Sequence, residues 1–126
     1  MVDFARRVLF VDDDQAVCDL VKVMLEDEVV TTLRGADAVV LASNISFDVI
    51  LVDLAMPEMD GFTVIDRLKI LERHQSTPVV AVSGVYAEED AIDQVMAQGA
   101  SGFLPKPFDK MQLRRIIESV SARAKK

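Results

Sequence analysis

Asp12 and Asp13 close the apolar run Arg7-Val8-Leu9-Phe10-Val11, and Asp53 closes a second, Val49-Ile50-Leu51-Val52. Ser83-Gly84 follows a third, Val79-Val80-Ala81-Val82, and Lys106 follows Phe103-Leu104-Pro105. Short runs of this kind are what strands covered on both faces look like. Read as parallel strands, they place two acids, a lone acid, a hydroxyl and a lysine at strand C-termini. Open α/β sheets bind ligands along that edge. Three carboxylates crowded together repel one another unless a cation joins them. Hard oxygen donors with no soft ligand nearby favour Mg²⁺ over zinc. Asp12, Asp13 and Asp53 are therefore candidate metal ligands, with Lys106 beside them and Ser83 facing the same crevice.

Each residue alone also has an ordinary reading. Acids end strands and cap helices, but Asp14 is already placed to cap the helix that follows, which leaves Asp12 and Asp13 surplus. In Asp53-Leu54-Ala55-Met56-Pro57-Glu58-Met59-Asp60-Gly61, Pro57 takes Met56 out of helical geometry and Asp60-Gly61 marks a second turn. A plain connection accounts for those turn residues, but not for an acid directly ending an apolar strand. Lys106 stands between two prolines, before an X-Pro bond that can be cis. His74 has no visible partner and reads as a solvated loop residue. Cys18 reads as a small hydrophobe beside a helix, with no redox role.

Strands are expected near Val8–Val11, Val29–Thr32, Val49–Val52, Val79–Val82 and Gly102–Leu104, alternating with helical-period segments. The first helix carries Val17, Leu20, Val21, Met24 and Leu25 at i, i+3, i+4, i+7, i+8 spacing. A second, near Ala36–Ala42, is too evenly apolar for its period to be read. A third follows Gly61 with Ile65, Leu68 and Leu71 inward. A fourth, near Glu88–Gln98, turns Ile92, Val95 and Met96 inward and ends at Gly99. The last begins at Asp109, whose spacing to Gln112 is that of a capping box, and buries Leu113, Ile116, Ile117 and Val120. Five βα units predict a doubly wound, flavodoxin-like parallel sheet of order 2-1-3-4-5.

At 126 residues, half of them apolar, the sequence suits one domain spanning 1–126 with one sizeable core and no output domain of its own. A formal net charge of −7 argues against this domain gripping nucleic acid through its surface. A single cysteine suits a reducing compartment, and no run approaches the ~18 apolar residues of a membrane span. The N-terminus lacks the apolar stretch of a signal peptide. The expectation is a soluble, cytoplasmic protein.

Taken together, Val11-Asp12-Asp13-Asp14, Asp53 with Met56-Pro57 and Asp60-Gly61, Ser83-Gly84, Gly99-Ala100 and Lys106-Pro107-Phe108 resemble the response-regulator receiver domain of two-component signalling. The resemblance runs from about Arg7 to Val120. It implies that Asp53 is the phospho-acceptor. Asp13 and Asp53 would ligate Mg²⁺ directly with the Ala55 carbonyl, and Asp12 mostly through water. Lys106 would pair with the phosphoryl group, Ser83 would bond one of its oxygens, and Phe103 stands at the switch aromatic. In the family, the side chains at Ala55 and Val85 influence the hydrolytic water; neither is polar here, so a long-lived phosphorylated state is expected.

The implied partners are a sensor histidine kinase or phosphotransfer protein, and a downstream effector or attached output domain. Glu88, Glu89, Asp90 and Asp93 face Lys110, Arg114, Arg115 and Arg123 in charge, so a homodimer through the fourth helix, last strand and last helix is a further expectation. The chain is expected to accept phosphate stoichiometrically rather than turn over a substrate. Two other readings stay open. One is an interaction domain that needs no phosphate. The other is an aspartyl-phosphate hydrolase of the haloacid-dehalogenase type, whose general acid would fall where this chain has Ala55.

Overall fold

The computed structural model describes residues 6–84 and 89–124. Its elements alternate along the chain: β1 (Arg7–Val11), α1 (Gln15–Met24), β2 (Glu28–Thr32), α2 (Gly35–Asn44), β3 (Val49–Asp53), α3 (Gly61–Ile70), a 3₁₀ turn (Glu72–His74), β4 (Val79–Ser83), α4 (Glu89–Ala97), β5 (Gly102–Pro105) and α5 (Lys110–Ala124). All strand pairs are parallel, in the order β2-β1-β3-β4-β5 expected from the βα alternation. Strand order reverses between β1 and β3, which opens a crevice at the C-terminal edge of the sheet.

Strand periodicity divides the core in two. Leu9, Val11, Ile50, Val52, Val79 and Ala81 face one side, against Ala38 and Ala42 of α2, Val64, Ile65 and Leu68 of α3, and Val95 of α4. Val8, Phe10, Val49, Leu51, Val80 and Val82 face the other, against Cys18, Val21 and Leu25 of the α1 segment and Leu113, Ile117 and Val120 of α5. β3 and β4 are buried at every residue, which is why their sequences show no polar alternation.

The helices correct several expectations. α1 turns Cys18, Val21 and Leu25 inward and leaves Leu20 49% exposed, because its buried stripe is centred one position away from the predicted one. Met96 is 45% exposed, and only Val95 of α4 is fully buried. α2 runs from Gly35 to Asn44 and packs through Gly35, Ala38 and Ala42, residues too small to print an apolar stripe on the sequence. The capping box of α5 is formed as expected: Gln112 N–H donates to the Asp109 carboxylate at 2.8 Å, and Asp109 N–H donates to Gln112 Oε1 at 2.9 Å. Gly99 follows α4 with φ of 105°, as a left-handed helix stop requires. No helix among the described residues is long and apolar enough to cross a membrane.

His74 is the clearest reversal, since it lies fully buried rather than in solvent. Its Nε2 is 3.1 Å from the Ile45 carbonyl oxygen and its Nδ1 is 2.9 Å from Thr77 Oγ1. A carbonyl only accepts, so Nε2 carries a proton toward Ile45, while Nδ1 is bonded to the threonine hydroxyl. The ring stacks on Phe47 at a centroid distance of 6.1 Å. Nearby, Lys69 Nζ donates to the His74 and Thr77 carbonyls at 3.2 and 2.9 Å. This polar knot joins α2, the 3₁₀ turn and β4 at the edge opposite the crevice. His74→Ala leaves a void and strands the Ile45 carbonyl and Thr77 hydroxyl, so a stability loss of about 3 kcal/mol is expected in urea unfolding. A loss no larger than that of an exposed substitution would refute the knot's structural role.

Candidate functional site

Register brings the charged residues together. Val11 pairs with Val52, so Asp12 follows beside Asp53, and Asp53 itself pairs with Val82, one residue before Ser83. Backbone bonds hold these ends: Asp12 N–H donates to the Thr32 carbonyl, Leu54 N–H to Val82, and Lys106 N–H to Ser83, at 3.0–3.1 Å. The Lys106-Pro107 peptide is cis. Ser83 is buried, and the Gly84 backbone lies close along Lys106.

Carboxylate oxygens of Asp12, Asp13 and Asp53 lie within 4.8 Å of one another. Asp12 is 0% and Asp53 4% exposed, whereas Asp13 faces solvent. The Lys106 ammonium is 2.7 Å from Asp12 Oδ2 and 3.6 Å from Asp53 Oδ2. Asp12 Oδ1 accepts from Asp14 N–H at 3.0 Å, and Asp14 in turn caps α1 by accepting from Ala16 N–H at 3.0 Å. Asp53 Oδ1 accepts a long hydrogen bond from Ala55 N–H at 3.4 Å.

The electrostatics follow from this crowding. Burial, then the Asp12 charge, push the Asp53 carboxyl up to about 6, although Lys106 opposes them. Burial by itself would lower the Lys106 ammonium, but its hydrogen bond and charge contact with Asp12, then Asp53, outweigh it and hold its pKa above the ordinary range. Among the described residues, the buried Asp12 and Asp53 share the Lys106 ammonium and the exposed Asp13 adds a third carboxylate, so the site is short of positive charge. Its carboxylates are hard oxygen donors, which fits a small divalent ion such as Mg²⁺.

The residues expected at the site from sequence are all assembled here: Asp12, Asp13, Asp53, Ser83 and Lys106 line one strand edge, with Ala55 in the turn after β3. Val85 and Glu88 lie outside the described residues. Phe103 is half-buried against the α3 side of the sheet. Cys18 lies beneath the site, its thiol donating to the Asp12 carbonyl at 3.4 Å. Burial, then Asp12, push that thiol up to about 11, so it stays protonated and its expected inert packing role stands. The Lys106–Asp12 pairing was not legible beforehand, because spacing does not say which of two acids a lysine reaches.

The sequence profile described as the response regulator receiver domain matches residues 8–118. The chain belongs to this family. This receiver domain is 36% identical over 114 residues to a 14.6 kDa protein encoded in the sodA1 3′ region of Leptolyngbya boryana, covering 88% of this chain and 86% of that one. It is 33% identical to the cell cycle response regulator CtrA of Brucella ovis over 94% of its own length and 51% of the relative's. The chain thus spans about half the length of the CtrA relatives it matches. Among solved structures, chemotaxis protein CheY4 of Vibrio cholerae superposes with a TM-score of 0.87 at 30% identity, covering 90% of this receiver domain and 97% of CheY4.

Proposed function

We propose that this receiver domain takes a phosphoryl group on Asp53 from the phosphohistidine of a sensor kinase or phosphotransfer protein, or from a small acyl phosphate. One observation carries the reading: three carboxylates within 4.8 Å of one another, two of them in contact with the same lysine. A carboxylate oxygen of Asp53 attacks phosphorus in line. The bond from phosphorus to the donor breaks, a departing imidazole nitrogen takes up a proton, and an acyl phosphate remains. Such transfer depends on positioning and charge neutralisation more than on covalent help.

Mg²⁺ held by Asp12, Asp13 and Asp53, with the Ala55 carbonyl as a further ligand, would supply the missing positive charge. Lys106 offsets charge on the phosphoryl oxygens, Ser83 bonds one of them, and Phe103 repacks as the switch. Asp12 holds Lys106 in reach of the acceptor. The domain acts stoichiometrically, because Ala55 offers no general acid to a hydrolase cycle, and it acts in the cytoplasm on a protein effector or attached output domain. Incubation with acetyl phosphate and Mg²⁺ should add one phosphoryl mass to the parent and none to Asp53→Ala. Unchanged labelling of the variant overturns the assignment, and continuing phosphate release without adduct would favour the hydrolase.

The signalling surface in this reading is the α4–β5–α5 face. Glu89, Asp90 and Asp93 are exposed on α4, and Lys110, Arg114 and Arg115 on α5, where with Met111 and Glu118 they line an open groove of about 380 Å³. Arg123 also faces solvent but donates to the Ser101 carbonyl at 2.9 Å. Surface ion pairs are individually weak, so only a two-fold arrangement that repeats them would hold two copies together. Light scattering should show a dimer with the phosphate mimic beryllofluoride at low salt and a monomer at high salt. A monomer throughout removes the dimer.

A further inference from the structure

Gly61 opens α3, eight residues after the acceptor, and its backbone sits directly on the acceptor's own peptide. A Cβ built on Gly61 would lie 2.3 Å from the Asp53 carbonyl oxygen, 2.6 Å from Leu54 Cα and 2.8 Å from the Asp53 carbonyl carbon. All three are backbone atoms, so no side chain can swing away to make room. Gly61 N–H also donates to the Leu54 carbonyl at 3.0 Å. From the opposite side Leu54 N–H donates to Val82 of β4 at 3.0 Å. The peptide that follows the Asp53 side chain is therefore clamped between the first residue of α3 and β4.

The geometry points to Gly61 as a positioning residue for Asp53: the bare Cα of α3's first residue is the seat that fixes where the acceptor carboxylate stands. The inference rests on the phospho-acceptor reading for its functional consequence, but not for the seat itself. Gly61 has no positive φ, so conformation does not demand glycine here. Alanine would be the better helix residue by roughly 1 kcal/mol. Only the close approach to Asp53 and Leu54 argues against it. A methyl group must move either α3 or the peptide. α3 is locked by Val64, Ile65 and Leu68, all fully buried, whereas Asp53 is the last residue of its strand and its peptide begins a turn. Leu54 is as fully buried as those three, so the displacement is shared between α3 and the clamped peptide, and the carboxylate shifts with the peptide from its distance to Lys106.

Gly35 supplies the control. A Cβ there would meet Val64 Cγ2 at 2.6 Å and the Met59 carbonyl at 3.2 Å, in the same layer but away from the Asp53 peptide. Gly61→Ala and Gly35→Ala would be compared for phosphorylation by acetyl phosphate at saturating Mg²⁺, counted per folded molecule, with stability followed in urea. Gly61→Ala should lose about 100-fold in the maximal rate, the scale of a 1 Å misplacement, with little change in the donor concentration for half-maximal rate. Gly35→Ala should lose stability and keep its rate. A second reading uses the Asp53→Asn background, where removal of the buried charge supports folding. There Gly61→Ala should shift the backbone amide resonances of the substituted acceptor position and of Leu54 more than those of Val64 to Leu68.

A parent-like rate in Gly61→Ala, equal rate losses in both variants, or amide shifts confined to α3 would each overturn the inference. A parent that takes no phosphate would sink the phospho-acceptor reading instead, and the amide shifts would still decide the seat.

Discussion

Asp53→Asn should make the metal-free protein more stable at pH 7, by about 3 kcal/mol, while abolishing phosphoryl uptake. The reason lies in the raised pKa of Asp53, moved from 3.8 to about 6 chiefly by burial and then by Asp12. A carboxyl whose folded pKa exceeds its unfolded one binds its proton more tightly when folded. Its stabilising contribution is complete below the unfolded value and is lost as pH rises through the folded value. Across that window the parent loses stability, and at pH 7 the ionised Asp53 is a net burden. A shift of about two pH units corresponds to about 3 kcal/mol. Asparagine keeps the shape and removes the charge. Urea unfolding in EDTA from pH 4 to pH 8 would show a decline in the parent that the variant lacks. Mg²⁺ should then stabilise the parent by mass action and leave Asp53→Asn nearly unmoved. Equal stability of the two proteins at pH 7 without metal would mean that the acid cluster is not under repulsion.

Removing the lysine should do the reverse. Lys106→Met leaves Asp12 and Asp53, both buried, without their shared cation. Breaking a buried pair by deleting one partner costs on the order of 3–5 kcal/mol, and the partial exposure of Lys106 puts this case at the lower end. The loss should be greatest near pH 8, where Asp53 is ionised, and shrink toward pH 5 as it takes up a proton. In the parent the raised Lys106 pKa contributes stability throughout the neutral range, lost only as pH climbs past the ordinary lysine value. Adding Asp53→Asn to Lys106→Met should recover part of the loss, because the two residues are coupled. Mg²⁺ should restore stability to Lys106→Met without restoring a normal phosphorylation rate. Full parent stability of Lys106→Met at pH 8 in EDTA would show that solvent, and not the lysine, balances the acids.

The two results bear on one design. Among the described residues three carboxylates stand against one ammonium, so the proposed divalent ion would offset the excess negative charge. In the proposed reaction a phosphoryl group beside that ion would add negative charge back, toward which Ser83 and Lys106 would move. A switch of this kind is local electrostatics acting on packing with more than one arrangement.

What the sequence determined is what depends on local pattern and topology. Apolar runs that stop at Asp12, Asp53, Ser83 and Lys106 place those residues at strand ends, and βα alternation forces the strands parallel, so their C-termini share one edge. Capping at Asp14, Asp109 and Gly99 is likewise a matter of a few neighbouring residues. Depth and partnership were decided only by the tertiary structure. Leu20 and Met96 fit a helical period yet face solvent, because the angle at which a helix lies on the sheet selects which flank of its stripe is covered. His74 sits in a polar stretch, but the α2–β3 connection brings the Ile45 carbonyl and the Phe47 ring to it from far along the chain, beside the hydroxyl of its neighbour Thr77. The lysine's preference for Asp12 over Asp53, at 2.7 against 3.6 Å, and the seating of Gly61 on the Asp53 peptide are distances set by how α3 and the β5–α5 turn pack on the sheet. Residue type and spacing choose the chemical groups; the fraction of an ångström that makes them a working site comes from the packing of elements far apart in the chain.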